Sequence, residues 1–221
     1  MSVLIYHDAK TAGAAAATMI AAHLLKDPRC AIGVDYYETL LPVYDSLSAM
    51  TENGLLNWGD AQIFQLFEFT GDTNGEQRIA NLLGKSLFAR TDISERQYIV
   101  PFSKDLSASD TAAAYERSIL KAGGLDTALI AVRRDGSLLM NRFTNRELET
   151  HEETVDGDSF ITAGIATVMQ VKHPIVVAIG RQYAEIVQSM LQKGSLELPL
   201  AALRLHSGAT FVLDEQAAEL L

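Results

Sequence analysis

Ile175-Val176-Val177-Ala178-Ile179-Gly180 is an unbroken apolar run, rich in β-branched residues and closed by glycine. Such a run predicts a strand covered on both faces, as in a parallel sheet. Working outward, residues 182–192 carry Ile186, Val187, Met190 and Leu191 at helical spacing, and Thr210-Phe211-Val212-Leu213 predicts a closing strand. Asp214 then reads as the cap of a last helix ending at Leu221. On the other side, residues 126–132 predict another buried strand. Arg133-Arg134-Asp135-Gly136 follows it as a turn into residues 137–141, because Asp-Gly favours the positive dihedrals of a tight reversal.

The same rhythm extends to the amino end. Val3-Leu4-Ile5-Tyr6 predicts a strand, and residues 9–26 a helix ended by Asp27-Pro28, since the residue before proline avoids the helical region. A strand over 30–34, a helix over 38–50, a turn at Asn53-Gly54 and a buried strand over 61–67 come next, and that strand leaves through Glu68. Residues 75–88 predict a helix through Ile79, Leu82, Leu83 and Leu87, and residues 98–101 a short strand. Ser107, Ser109 and Asp110 are candidate caps for a helix to Lys121, stopped by Gly123-Gly124. Residues 144–158, with Glu147, Glu149, Glu152, Glu153, Asp156 and Asp158, read as a solvated acidic loop or flap. Short apolar strands alternating with helices predict one α/β domain over residues 1–221: a mostly parallel twisted sheet between helical layers.

Composition narrows the partners. At 24.1 kDa the chain can bury about 70% of its unfolded surface without staples. Eighteen Lys and Arg against 28 Asp and Glu leave a net charge of −10, which opposes nucleic acid as a partner. Cys30, the single cysteine, excludes an internal disulfide and reads as a small buried hydrophobe in a reducing, cytoplasmic setting. The apolar stretch 11–25 is alanine-rich, contains His23 and lacks a basic leader, so neither a signal peptide nor a membrane anchor is expected.

Several residues near predicted strand ends could carry chemistry. Asp135 and Glu68 are candidate acid/base groups, and they form a pair if they face each other across a crevice. The plainer readings are an Asp-Gly turn and a solvated strand-end carboxylate. Arg133, Arg134, Arg142 and Arg181 could build an anion site with bidentate guanidinium groups, and Arg181, at a helix start after Gly180, is the leading one. Salt bridges to the acidic flap are the alternative. Tyr36 and Tyr37 could stack on a sugar or plug a pocket. The histidines at 7, 23, 151, 173 and 206 lack metal-ligand spacing, and His151-Glu152-Glu153 is too contiguous to converge on one ion, so no metal is expected. No Gly-x-Gly-x-x-Gly or Gly-x-Ser-x-Gly motif supports a dinucleotide cofactor or serine hydrolysis, and no cofactor is expected.

Three stretches carry a family resemblance. Ile161-Thr162-Ala163-Gly164-Ile165-Ala166-Thr167 with the strand ending at Gly180, Leu203-Arg204-Leu205-His206 with Thr210 to Glu215, and Asp135-Gly136 after its strand resemble the glucosamine-6-phosphate deaminase and 6-phosphogluconolactonase superfamily. The resemblance implies a Rossmann-like three-layer fold over nearly the whole chain. It also implies a small-molecule sugar or sugar-phosphate ligand, with homo-oligomerisation compatible.

The family's working motifs depart from pattern here. Its phosphate loop corresponds to Val34-Asp35-Tyr36-Tyr37-Glu38, and its Asp-Glu pair to Phe67-Glu68. The histidine after Asp-Gly corresponds to Ser137, a glutamate to Arg142, and a phosphate-binding lysine to Tyr183. Asp135 alone is retained. The resemblance therefore implies a divergent isomerase, deaminase or lactonase in which Asp135 and Glu68 supply proton transfer and the arginines, Tyr36, Tyr37 and Ser137 line the ligand. The alternatives are a non-catalytic descendant acting as a ligand sensor or interaction module, and a different reaction on an unphosphorylated substrate.

Overall fold

Asp8 starts the first helix. Its carboxylate accepts the Thr11 amide at 2.8 Å while the Thr11 hydroxyl returns to the Asp8 amide, a reciprocal cap that fixes where α1 (Ala9–Lys26) begins after β1 (Ser2–Tyr6). In the computed structural model, which describes residues 1–71, 75–142, 148–193 and 197–221, β2 (Ala31–Val34) and α2 (Leu41–Glu52) follow. Gly13 of α1 sits where a Cβ would come within 2.7 Å of Pro42, so a small residue is what lets α1 and α2 pack side by side.

The remaining strands are β3 (Gln62–Gln65), β4 (Phe67–Phe69), β5 (Tyr98–Ile99), β6 (Thr127–Ala131), β7 (His151–Val155), β8 (Asp158–Thr162), β9 (His173–Ala178) and β10 (Thr210–Asp214). Their helices are α3 (Ile79–Ser86), α4 (Ala108–Lys121), α5 (Ile165–Met169) and α6 (Ala184–Gln188). Seven strands form one parallel sheet in the order β1-β10-β9-β6-β2-β3-β5. Its centre is buried on both faces: β2, β6 and all of β9 beyond His173 are sealed from solvent. The architecture is the expected α/β Rossmann-like sandwich.

Four local expectations need correction. The run 61–67 is two strands: the Leu66 amide donates to Val34 in the main sheet at 3.0 Å, whereas its carbonyl accepts from Ala163 at 2.8 Å. The chain thereby passes into a second sheet of order β4-β8-β7. The acidic segment read as a flap is largely the β7–β8 hairpin of that sheet, with residues 144–147 outside the described residues. After Asp214 the chain makes turns rather than a helix, although the Asp214 carboxylate accepts the Ala217 amide as a cap would, along with the Gly180 amide. Residues 181–193 form a short 3-10 turn, α6 and a π turn over Ser189–Lys193.

Cys30 is buried just before β2, and burial pushes its thiol up to about 11, so it stays protonated. Among the described residues no helix is long and apolar enough to cross a membrane.

His23 of α1 and His173 of β9 stack with ring centroids 5.1 Å apart. Burial, then the neighbouring His173, lowers the His23 pKa below 6.5, opposed by Asp126. The unfolded chain therefore binds this proton more readily than the folded one. Stability contributed by neutral His23 is present above pH ~6.5 and falls as pH drops through the lowered value. Denaturant midpoints measured from pH 7.5 to 5 are expected to fall, and His23→Gln to flatten part of that slope; an identical slope in the variant would exclude His23 as the cause.

Candidate functional site

The two central strands β2 and β6 are neighbours whose chains diverge: β2 leads through α2 to β3 on one side, and β6 leads to β9 on the other. Crevices at the carboxyl ends of such strands are where open α/β sheets place ligands. Here a cavity of about 360 Å³ opens at this point, and its wall includes Tyr37, Arg134, Asp135, Ser137, Arg142 and Asp156. A larger opening of about 470 Å³ lies near the amino ends of β3 and β5, beside the end of α4. Topology favours the first.

Below the crevice lies an ion pair. Asp35, the residue after β2, is fully buried and takes Arg133 Nη1 at 2.9 Å and Nη2 at 2.8 Å; its Oδ2 also accepts the Ala131 amide at 2.9 Å. The Arg133 guanidinium lies over the Tyr37 ring at 4.8 Å and the Phe67 ring at 5.4 Å. Burial disfavours this cation, yet Asp35, with Tyr37 and Asp135, more than compensates and raises its pKa. Asp35 is thus neutralised rather than a repulsive wall, and Arg133 is committed to it rather than to an external anion.

The turn after Arg133 builds the polar wall. Gly136 has φ +74, and an added Cβ would meet Leu198 at 2.7 Å, so both conformation and space require glycine. Asp135 Oδ1 accepts the Ser137 amide at 3.0 Å and the Ser137 hydroxyl at 2.7 Å, closing an Asx turn. Leu139, also in the wall, holds a left-handed φ of 55 while fully buried. Asn141 secures that loop by donating to Leu138 and Ala163 carbonyls at 2.7 and 2.9 Å.

The other arginines are paired as well. Arg142 holds Asp156 through both terminal nitrogens and has Asp135 Oδ2 3.8 Å from its Nε. Arg134 reaches Glu38 at 3.2 Å, where the Tyr183 hydroxyl also donates, at 2.8 Å. Burial and Glu38 push the Tyr183 phenol up. Arg181 is not in the crevice: 76% exposed, it binds Glu219 at 2.6 Å, so its expected place as the leading anion ligand is not what the fold provides. Among the described residues, pairing to the acidic segment, the alternative weighed for the arginines, occurs at Arg142 alone.

Glu68 is likewise displaced from its expected role. It is fully buried, not solvated, and is absent from the wall that Asp135 lines. Its oxygens accept the amides of Phe69 at 2.8 Å, Ile79 at 3.3 Å and Ala80 at 3.0 Å, and the Gln65 side chain at 3.1 Å. The Ile79 and Ala80 amides sit at the start of α3, so Glu68 anchors a helix N-terminus rather than pairing with Asp135. Tyr36 is partly buried against the core; Tyr37 reaches the cavity and Tyr36 is not in its wall. Asp35, Glu38 and Asp156 are the site residues that sequence reasoning did not single out. Asp35 and Glu38 stood in the substituted loop, and Asp156 followed a strand as half of an Asp-Gly pair, which is itself a turn signal.

No family model matches the chain. A glucosamine-6-phosphate deaminase of Mycolicibacterium smegmatis is 29% identical over 244 residues, covering all of this chain and 93% of that protein. Its counterpart in Streptomyces coelicolor is 27% identical over 242 residues, with the same coverage of both. Among solved structures, a glucosamine-6-phosphate deaminase described as monomeric superposes with a TM-score of 0.94 at 21% identity, covering 100% of both chains. The 6-phosphogluconolactonase of Thermotoga maritima gives 0.82 at 16% identity, covering 96% of this chain and 98% of that one. Similarity in sequence along the whole chain, together with the shared fold, points one way: the chain is similar from end to end to the superfamily of glucosamine-6-phosphate deaminases and 6-phosphogluconolactonases.

Proposed function

We propose that this protein acts in sugar-phosphate metabolism by binding a small phosphorylated sugar in the crevice between β2 and β6. The observation that supports this reading is the convergence of a carboxylate, a hydroxyl and a guanidinium, Asp135, Ser137 and Arg142, on one cavity at the strand switch point. Arg142 takes the anionic group, Tyr37 covers an apolar sugar face, and Asp135 exchanges a proton with the ligand while Ser137 orients its carboxylate. The relatives' names supply the reaction classes to assay: deamination of an amino-sugar phosphate, or hydrolysis of a phosphorylated sugar lactone.

A second reading, binding without turnover, is favoured by one feature. Glu68 is spent on α3, and of the two acids among the described residues lining the crevice Asp156 is held by Arg142 while Asp135 lies 3.8 Å from the same guanidinium, so separate acid and base roles lack a second free carboxylate. One experiment separates the two. Thermal shift with millimolar glucosamine-6-phosphate and 6-phosphogluconate reports binding, and ammonia release or lactone hydrolysis reports turnover. Arg142→Ala is expected to weaken sugar-phosphate binding by about tenfold or more, the worth of a charge-assisted contact. Asp135→Asn is expected to keep the thermal shift and lose turnover. A wild-type shift without turnover selects the second reading, and no shift with any sugar phosphate rejects both.

A further inference from the structure

The Arg142 guanidinium, one of three that line the crevice, is already held by an acid of the chain itself. Arg142 donates from Nη1 to Asp156 Oδ1 at 2.9 Å and from Nη2 to Oδ2 at 2.6 Å, a two-pronged contact, and both residues belong to the 360 Å³ cavity. The hydrogen bonds from Arg142 hold the Asp156 carboxyl below its ordinary range, so it is charged at neutral pH. A carboxylate and a phosphate present the same pair of acceptor oxygens to a guanidinium fork, so only one of them can occupy it.

The position of Asp156 separates its charge from its backbone role. Asp156 and Gly157 have φ of 54 and 94 and join Val155 to its partner Asp158, a two-residue hairpin turn with both residues left-handed. Asn-Gly and Asp-Gly satisfy that turn alike. The backbone therefore needs Asp or Asn here, and what the carboxylate adds is the contact with Arg142. Asp156 is also 76% exposed on its side chain, so releasing Arg142 returns it to water rather than stranding a charge.

We infer that Asp156 is a built-in competitor for the anion position of the crevice: the hairpin turn and the ligand's phosphate exchange for the same Arg142 fork. The inference rests on the sugar-phosphate reading for the identity of the ligand, but not for the exchange itself. It makes Asp156 a specificity residue. A neutral sugar gives nothing in return for Asp156 and does not displace it, whereas a doubly charged phosphate does.

Calorimetric titration of inorganic phosphate, and separately of glucosamine-6-phosphate, into wild type, Asp156→Asn and Asp156→Asn with Arg142→Ala tests this. Asparagine keeps the turn, so the variant folds. Asp156→Asn is expected to bind inorganic phosphate about threefold to fivefold more tightly than wild type, the range an exposed ion pair supports. Adding Arg142→Ala should erase that gain. Phosphate binding by Asp156→Asn that is equal to wild type, weaker, or undetectable in both overturns the competitor. If glucosamine-6-phosphate binds wild type well and Asp156→Asn brings no gain, the competitor falls while the sugar-phosphate reading stands. If Asp156→Asn gains inorganic phosphate but glucosamine-6-phosphate binds no better than phosphate, the competitor stands and the sugar reading falls.

Discussion

Asp35→Ala is expected to destabilise the protein by about 3–5 kcal/mol, the cost of leaving a buried charge without its partner. Asp35 is fully buried and Arg133 is 5% exposed, so water cannot replace the lost carboxylate. The variant strands the guanidinium between Tyr37 and Phe67 and removes the acceptor of the Ala131 amide. Guanidinium-induced unfolding followed by circular dichroism measures the loss, and for a chain of this size the melting temperature should drop by about 10 °C. The double variant Asp35→Leu with Arg133→Met is expected to recover most of it, because an apolar pair of similar volume avoids the desolvation of both ions. Asp35→Ala within 1 kcal/mol of wild type would mean that Arg133 finds another partner, and that it is free to meet a ligand's anion after all.

Glu68→Ala is the second large effect, a loss of about 3 kcal/mol. One carboxylate serves three backbone amides and the Gln65 side chain, and removing it leaves the first turn of α3 with buried, unanswered donors. Glu68→Gln should cost less, about 1–2 kcal/mol, because the shape is kept but an amide nitrogen now faces N–H donors. Sugar-phosphate affinity per folded molecule should be unchanged in both, since Glu68 lies outside the crevice wall. Equilibrium unfolding and ligand titration on the same preparations check the two halves. A Glu68→Gln variant of wild-type stability that has lost turnover would return Glu68 to the chemistry and displace the helix-anchoring role.

The strands and long helices were legible because each declares its own environment. Residues 128–131 and 174–178 are apolar in unbroken runs, as strands covered on both faces must be. α1 stops where Asp27-Pro28 predicts, and α4 takes its cap from Ser107 and runs to Lys121 as expected. The β7–β8 hairpin was not legible. In His151–Val155 the half-exposed face alternates His, Glu and Val, so a run of acids hides the period of two, and the strand reads as loop. The passage of the chain from one sheet to another at Leu66 left no local mark either, since Ile63 and Phe64 before it and Phe67 after it are equally apolar.

The candidate site divides along the same line. Asp135-Gly136 could be found from sequence, because a left-handed glycine next to an aspartate is a local property of the backbone. The role of each charge could not. Arg133 meets Asp35 across 98 residues, Arg142 meets an acid on a hairpin turn, and Glu68 meets the amides of a helix that starts eleven residues later. Periodicity and turn chemistry are set by neighbours in the chain, so the sequence by itself determined the α/β class, the parallel core and the crevice-forming turn. Which arginines are spent on internal partners depends on distances between strand ends and on burial, and only the tertiary structure decided it, because the energy of a charge is set by the groups packed around it.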